Sequence, residues 1–145
     1  MAVLEHEDRQ GREDHKGASA ISAGVEAVGR EVVDAAIKVH RVLGPGLLES
    51  AYEQCLAHDL RLRGLSVRRQ VVLPIEFEGL RLDAGYRLDL LVNDAVIVEV
   101  KSLEALSRLH EAQLLTYLRL SSYRLGYLLN FNAVQLRQGL RRFVR

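Results

Sequence analysis

Cysteine occurs once in the chain, at Cys55, which excludes an intramolecular disulfide and a cysteine-based zinc site. Helical spacing puts Cys55 on the apolar side of a helix, so it is expected in the core. Tryptophan is absent, and five tyrosines and three phenylalanines are too few for an obvious base-stacking platform. Charge of either sign is not in excess: the formal net charge is +1. No global field therefore steers the chain toward nucleic acid, and any attraction must come from local patches. Two such patches are arginine clusters, Arg61, Arg63, Arg68 and Arg69, and Arg137, Arg141, Arg142 and Arg145. A solvated face accounts for clusters of this kind equally well. No apolar run reaches the roughly 18 residues of a membrane span, and no secretory signal opens the chain. A cytoplasmic protein with no membrane partner is expected. Lysine is scarce too, since only Lys16, Lys38 and Lys101 stand among twenty basic residues.

What is there suits one globular domain. With 145 residues, 48% hydrophobic and 27% charged, the chain is long enough for a sizeable core. Residues 1–24 are polar and rich in glycine and serine, and are expected to form a flexible N-terminal tail; residues 25–145 form the domain. Apolar spacing predicts helices over 26–43 and 47–63, the second burying Leu48, Ala51, Tyr52, Cys55, Leu56 and Leu60. Gly44-Pro45-Gly46 and Gly64 stop them. Strands follow over 65–78, with Pro74 marking an edge or bulge, over 80–92 and over 95–101. A helix over 103–120 turns Leu106, Leu109, Leu114, Tyr117 and Leu118 inward. Strands over 124–131 and 134–144 end the chain, with a kink at Gly139. Helix, helix, three-stranded meander, helix, strand, strand gives an α/β architecture with a mixed central sheet flanked by helices.

Two charged positions stand out against this background. Glu99 and Lys101 close the apolar run Ala95–Val98, and Asp89 interrupts the run Leu88–Val92. Buried charges are costly unless paired or bound to a metal. Asn93-Asp94 is a turn signal, so the two runs form a hairpin. A strict two-residue turn sets Asp89 opposite Val98 and sends Glu99 to the other face. A three-residue loop pairs Val92 with Val96 and sets Asp89 opposite Glu99. One face then carries Leu88, Leu90, Val92, Val96, Val98 and Val100; the other carries Arg87, Asp89, Leu91, Ile97, Glu99 and Lys101. This segregation favours the odd-count loop. In a chain so biased to arginine, a lysine here suggests a need for a compact ammonium. Two carboxylates and an ammonium on one face make a site for a divalent metal and phosphodiester cleavage. The competing reading of Glu99 and Lys101 alone is a strand end reaching solvent.

Gly46-Leu47-Leu48-Glu49-Ser50-Ala51-Tyr52 resembles the signature of the GxxExxY proteins, a family of the PD-(D/E)XK nuclease-like superfamily. Asp89, Glu99-Val100-Lys101 and Gln113-Leu114-Leu115-Thr116-Tyr117 follow in the family's order, so the resemblance spans residues 26–145. Leu88 stands where the superfamily's proline would precede Asp89. The resemblance implies a restriction-endonuclease-like core and Mg²⁺ or Mn²⁺ as cofactor. It assigns catalysis to Glu49, Asp89, Glu99 and Lys101, with Asp89, Glu99, the Val100 carbonyl and Glu49 around the metal. Gln113 and Tyr117 share one helical face and, with Arg87 and Tyr52, are the candidates for substrate binding. The competing readings are a polar and an aromatic residue at a helix–sheet boundary, a solvated or ion-paired arginine, and a core tyrosine. His40 and His110 are read as structural.

The expected partner is nucleic acid, DNA in first place, with a homodimer or protein partner supplying what a bare core lacks. The alternative is a non-catalytic module on the same fold that binds nucleic acid or protein. A component whose specificity lies in a separate chain is a third reading.

Overall fold

The computed structural model describes residues 20–145; the tail expected over 1–24 therefore lies, for residues 1–19, outside the described residues. Helix α1 (Ala23–Leu43) starts three residues before its apolar period because the Ser22 side chain accepts a hydrogen bond from the Val25 N–H at 3.2 Å, satisfying one of the orphan amides of the first turn. Gly44, left-handed at φ 70°, ends it, a conformation that glycine adopts without a Cβ penalty. Helix α2 (Glu49–Leu62) buries a stripe of Tyr52, Leu56 and Leu60 together with the acids Glu53 and Asp59.

Two side chains expected inside that stripe are outside it. Leu48 precedes the first turn in extended conformation and is 77% exposed. Cys55 is exposed as well, because it sits one 100° step round the helix from Leu56.

The long strands expected over 65–78 and 80–92 are each broken in two. Strand β1 (Val67–Val72) stops before Pro74, and β2 (Ile75–Phe77) pairs with β3 (Leu80–Leu82) in a separate ribbon. Gly85, at φ 88°, turns the chain into β4 (Arg87–Val92). The central sheet has the order β1-β4-β5-β6-β7, with β5 (Val96–Lys101), β6 (Leu125–Asn130) and β7 (Leu140–Val144). Only β5 and β6 are parallel within it. A parallel pair needs a crossover, here helix α3 (Arg108–Leu120).

Ser107 and His110 cap α3 reciprocally, which sets its start at residue 108 and leaves Leu109 76% exposed instead of inward. The first half of the expected 134–144 strand is a 3₁₀ turn, Leu136–Gly139. A Cβ on Gly139 would stand 2.5 Å from the Asn130 carbonyl oxygen, so close backbone approach requires glycine there.

Helices cover both faces of the sheet. Val32, Ala36, Tyr52 and Leu56 pack with Val98, Val100, Leu129 and Phe131 on one side. Leu114 and Leu118 of α3 pack with Leu91, Ile97, Leu128 and Phe143 on the other. Among the described residues no helix is long and apolar enough to cross a membrane. The mixed central sheet flanked by helices is the architecture of a restriction-endonuclease-like core.

Candidate nuclease site

The hairpin between β4 and β5 uses the odd-count loop. Asn93 and Asp94 are both left-handed, at φ 51° and 50°, and Ala95 donates its N–H to the Val92 carbonyl at 3.0 Å. Asn and Asp tolerate that conformation better than other side chains. Val92 then pairs with Val96 and Leu90 with Val98, a register that carries Asp89 opposite Glu99.

At that pair the carboxylates replace the ladder. The Asp89 N–H donates to Glu99 Oε2 at 2.8 Å, and the Val100 N–H donates to Asp89 Oδ2 at 2.8 Å. Each acid thus takes a main-chain amide of the opposite strand.

The alternation of side chains breaks at the same place. Leu88, expected beside Leu90 and Val92, packs instead with Leu91 and Ile97 on the α3 side. Across from Asp89 on β1, between the pairs Arg69–Leu90 and Val71–Leu88, Gln70 is left-handed at φ 54°. Val67 before it packs with the α1–α2 core, and Val71 and Leu73 after it pack with the α3 core.

A third acid, Glu53 of α2, reaches this break and was not singled out by the sequence. It is 6% exposed. Arg69 grips its Oε2 with Nε at 3.0 Å and Nη2 at 2.9 Å. Gln70 Nε2 donates to Glu53 Oε1 at 2.8 Å and to Asp89 Oδ1 at 3.2 Å. The available signal was a charge within the apolar stripe of α2, three residues before Leu56.

Glu49 lies at the exposed start of α2, where its Oε2 accepts from the Ser102 N–H at 3.3 Å. It borders the chain just beyond Lys101 and makes no hydrogen bond to Asp89 or Glu99. Lys101 is half-buried at the end of β5, and its charge lowers the cost of ionising both Asp89 and Glu99. The side chain of Asn130, paired with Lys101 across β6, bonds Leu103 through both its N–H and its carbonyl and so fixes the exit from β5.

Tyr117 is buried with its ring edge-on to Tyr86, centroids 6.5 Å apart. Gln113 is half-buried on the same helix, and Arg87 is exposed. Tyr52 is fully buried, stacked on Phe131, and its hydroxyl accepts from the Leu47 N–H and donates to the Gly44 carbonyl; that hydroxyl is spent on the turn before Glu49. His40 bonds the Ala133 carbonyl and His110 serves the α3 cap. Most of the clustered arginines are engaged internally: Arg63 with Asp59 and Glu31, Arg68 with Asp94, Arg69 with Glu53, Arg141 with Glu111 and Arg142 with Glu26.

The electrostatics follow from burial. Glu99, 5% exposed, has its carboxyl pushed up to about 8, first by desolvation and then by the charge of Asp89. Asp89 is raised as well, by desolvation and by Glu53, against the pull of the Val100 amide. Burial, followed by the charges of Glu99 and Asp89, pushes Tyr117 up to about 12.

A family model described as the PD-(D/E)XK nuclease superfamily matches residues 26–143. The chain belongs to the PD-(D/E)XK nuclease superfamily. No curated protein and no solved structure gives a significant match.

Nucleases of the PD-(D/E)XK superfamily typically use divalent cations. Among the described residues no three acids, histidines or cysteines group closely enough to hold an ion by side chains alone. The donor set nonetheless fits a hard cation such as Mg²⁺, which keeps several waters and needs only one or two carboxylates. Asp89 and Glu99 each hold one oxygen on a main-chain amide, Glu99 Oε1 accepts no hydrogen bond among the described residues, and both acids resist ionising without a positive charge nearby.

Proposed function

We propose that this chain is a metal-dependent nuclease of the GxxExxY type that hydrolyses phosphodiester bonds of nucleic acid, with DNA as the first substrate to test. The reading is carried by one observation: Asp89 and Glu99 clasp each other's strands through main-chain amides, with Lys101 at the end of the same strand. Asp89, Glu99 and the Val100 carbonyl would hold Mg²⁺ or Mn²⁺, and Glu49 would accept from a water beside them. When bound, such a cation polarises a phosphoryl oxygen and lowers the pKa of water. Lys101 orients the attacking water and offsets charge that develops on the phosphate. Water adds at phosphorus, the bond to the leaving oxygen breaks, and a proton passes to that oxygen. Gln113 and Arg87 contact the substrate, and Tyr117 backs the carboxylate pair.

The test uses the purified chain with single-stranded, duplex and branched DNA and with RNA, in Mg²⁺, Mn²⁺ or chelator. Cation-dependent cleavage lost in both Asp89→Asn and Lys101→Ala is expected. Substrate binding unchanged in both variants, with no product under any condition, supports the non-catalytic module instead.

A further inference from the structure

Gln70 combines two features that rarely meet in one residue. It is a non-glycine residue held left-handed inside a strand, at φ 54°, a conformation that costs about 1 kcal/mol or more and persists only where its surroundings over-determine it. It also spends both amide protons on carboxylates, one on Glu53 and one on Asp89. An amide nitrogen carries two donors, so the side chain has no donor left and only one orientation satisfies both acids. Glu53 in turn has both oxygens taken, by Gln70 and by Arg69. It is thereby fixed as an anchor.

We infer that Gln70 is a positioning residue, which ties the Asp89 carboxylate to the fixed Glu53–Arg69 pair and so sets the geometry in which Asp89 receives a cation. The inference rests on the nuclease reading of the Asp89–Glu99 pair. Asp89 has one oxygen steered by the main chain and the other by Gln70, so the carboxylate plane is defined from two sides. The left-handed turn at Gln70 is what brings its side chain to Glu53 and Asp89 while the strand on either side changes face. Partners that orient a metal ligand from behind are typically worth about 10- to 100-fold in affinity or activity.

Two variants separate the amide from the backbone. Gln70→Gly accepts the left-handed conformation without strain and lacks the donors; Gln70→Met keeps the length and lacks them too. The measurement is calorimetric titration of Mn²⁺ into the full chain, with thermal unfolding in chelator as the control for folding. Both variants are expected to remain folded and to bind Mn²⁺ about 10-fold or more weakly, with Gln70→Gly the more stable of the two. Affinity in Gln70→Gly equal to that of the unmodified chain would overturn the role of Gln70 and leave the nuclease reading standing. An unmodified chain that binds no Mn²⁺ would overturn both. If Gln70→Met unfolds, the glycine variant decides alone; if neither folds, Gln70 holds the fold and the positioning role is rejected.

Discussion

Replacing Glu99 by glutamine tests the electrostatic reading of the site most directly. Glutamine keeps the length of the side chain and an oxygen to accept the Asp89 N–H, and it removes a charge that burial and Asp89 oppose. A carboxyl raised from 4.5 to about 8 binds its proton more tightly in the folded chain than in the unfolded one. Its contribution is therefore favourable only at low pH, and stability falls as pH rises from about 4.5 to about 8. At about 1.4 kcal/mol per pKa unit, the ionised Glu99 costs the metal-free fold on the order of 3–5 kcal/mol above that range. Urea unfolding in chelator at about pH 5 and about pH 9 reads this out. Glu99→Gln is expected to lose less stability than the unmodified chain across that interval, by a few kcal/mol. Adding Mg²⁺ or Mn²⁺ at about 100 times its dissociation constant should return about 2.7 kcal/mol to the unmodified chain and much less to the variant. Parallel pH curves for the two chains would refute the argument, since they would mean that Glu99 ionises in the fold as easily as in water.

Asp59 should behave with the opposite sign. Burial raises its carboxyl, but hydrogen bonds from Lys38 and Arg63 outweigh that and hold it below 3.8, so its stabilisation is present above about pH 4 and lost as pH falls; Asp59→Asn should be destabilised at neutral pH and converge with the unmodified chain in acid. Tyr52→Phe keeps the stacking on Phe131 but strands the Gly44 carbonyl and the Leu47 amide, and should cost about 1–3 kcal/mol in urea unfolding without changing Mn²⁺ affinity. Gly139→Ala forces a carbon against the Asn130 carbonyl at 2.5 Å, and a loss of about 1–3 kcal/mol or more is expected. Cys55, being exposed, should react with a thiol reagent in the native chain at a rate close to that in urea.

The hairpin register was legible because a one-residue slip would have put Glu99 among the valines of the core. Strict alternation gathers the charges of β4 and β5 on one face only with Val92–Val96 pairing, and that register is the one observed, although the break at Asp89 takes Leu88 off the face that alternation assigns it. Helices α1 and α2 were legible for a similar reason, an apolar stripe bounded by glycine. Leu48 and Leu109 were misplaced because a helical wheel extends a stripe without knowing where a cap begins it: Ser107 starts α3 only at Arg108, and Leu48 lies outside α2. Cys55 lies within α2 and was misplaced because the stripe was drawn one 100° step too wide. The change of face at Gln70 and Asp89 could not be read from period, since it needs an acid from another element to hold the strands off phase. Glu53 left one trace, a charge within the apolar stripe of α2, but neither its role nor that of Gln70 could be read, because both rest on a contact across 17 residues of chain.

The clasp between Asp89 and Glu99 is made with main-chain amides, and substitution cannot delete a main-chain amide except by proline. A descendant of this chain that lost either acid would still aim one such N–H into the gap, ready to receive an oxygen from a neighbouring residue. Chemistry here can be erased in one step while the scaffold that recreates it is retained, which makes the site easy to silence and easy to restore.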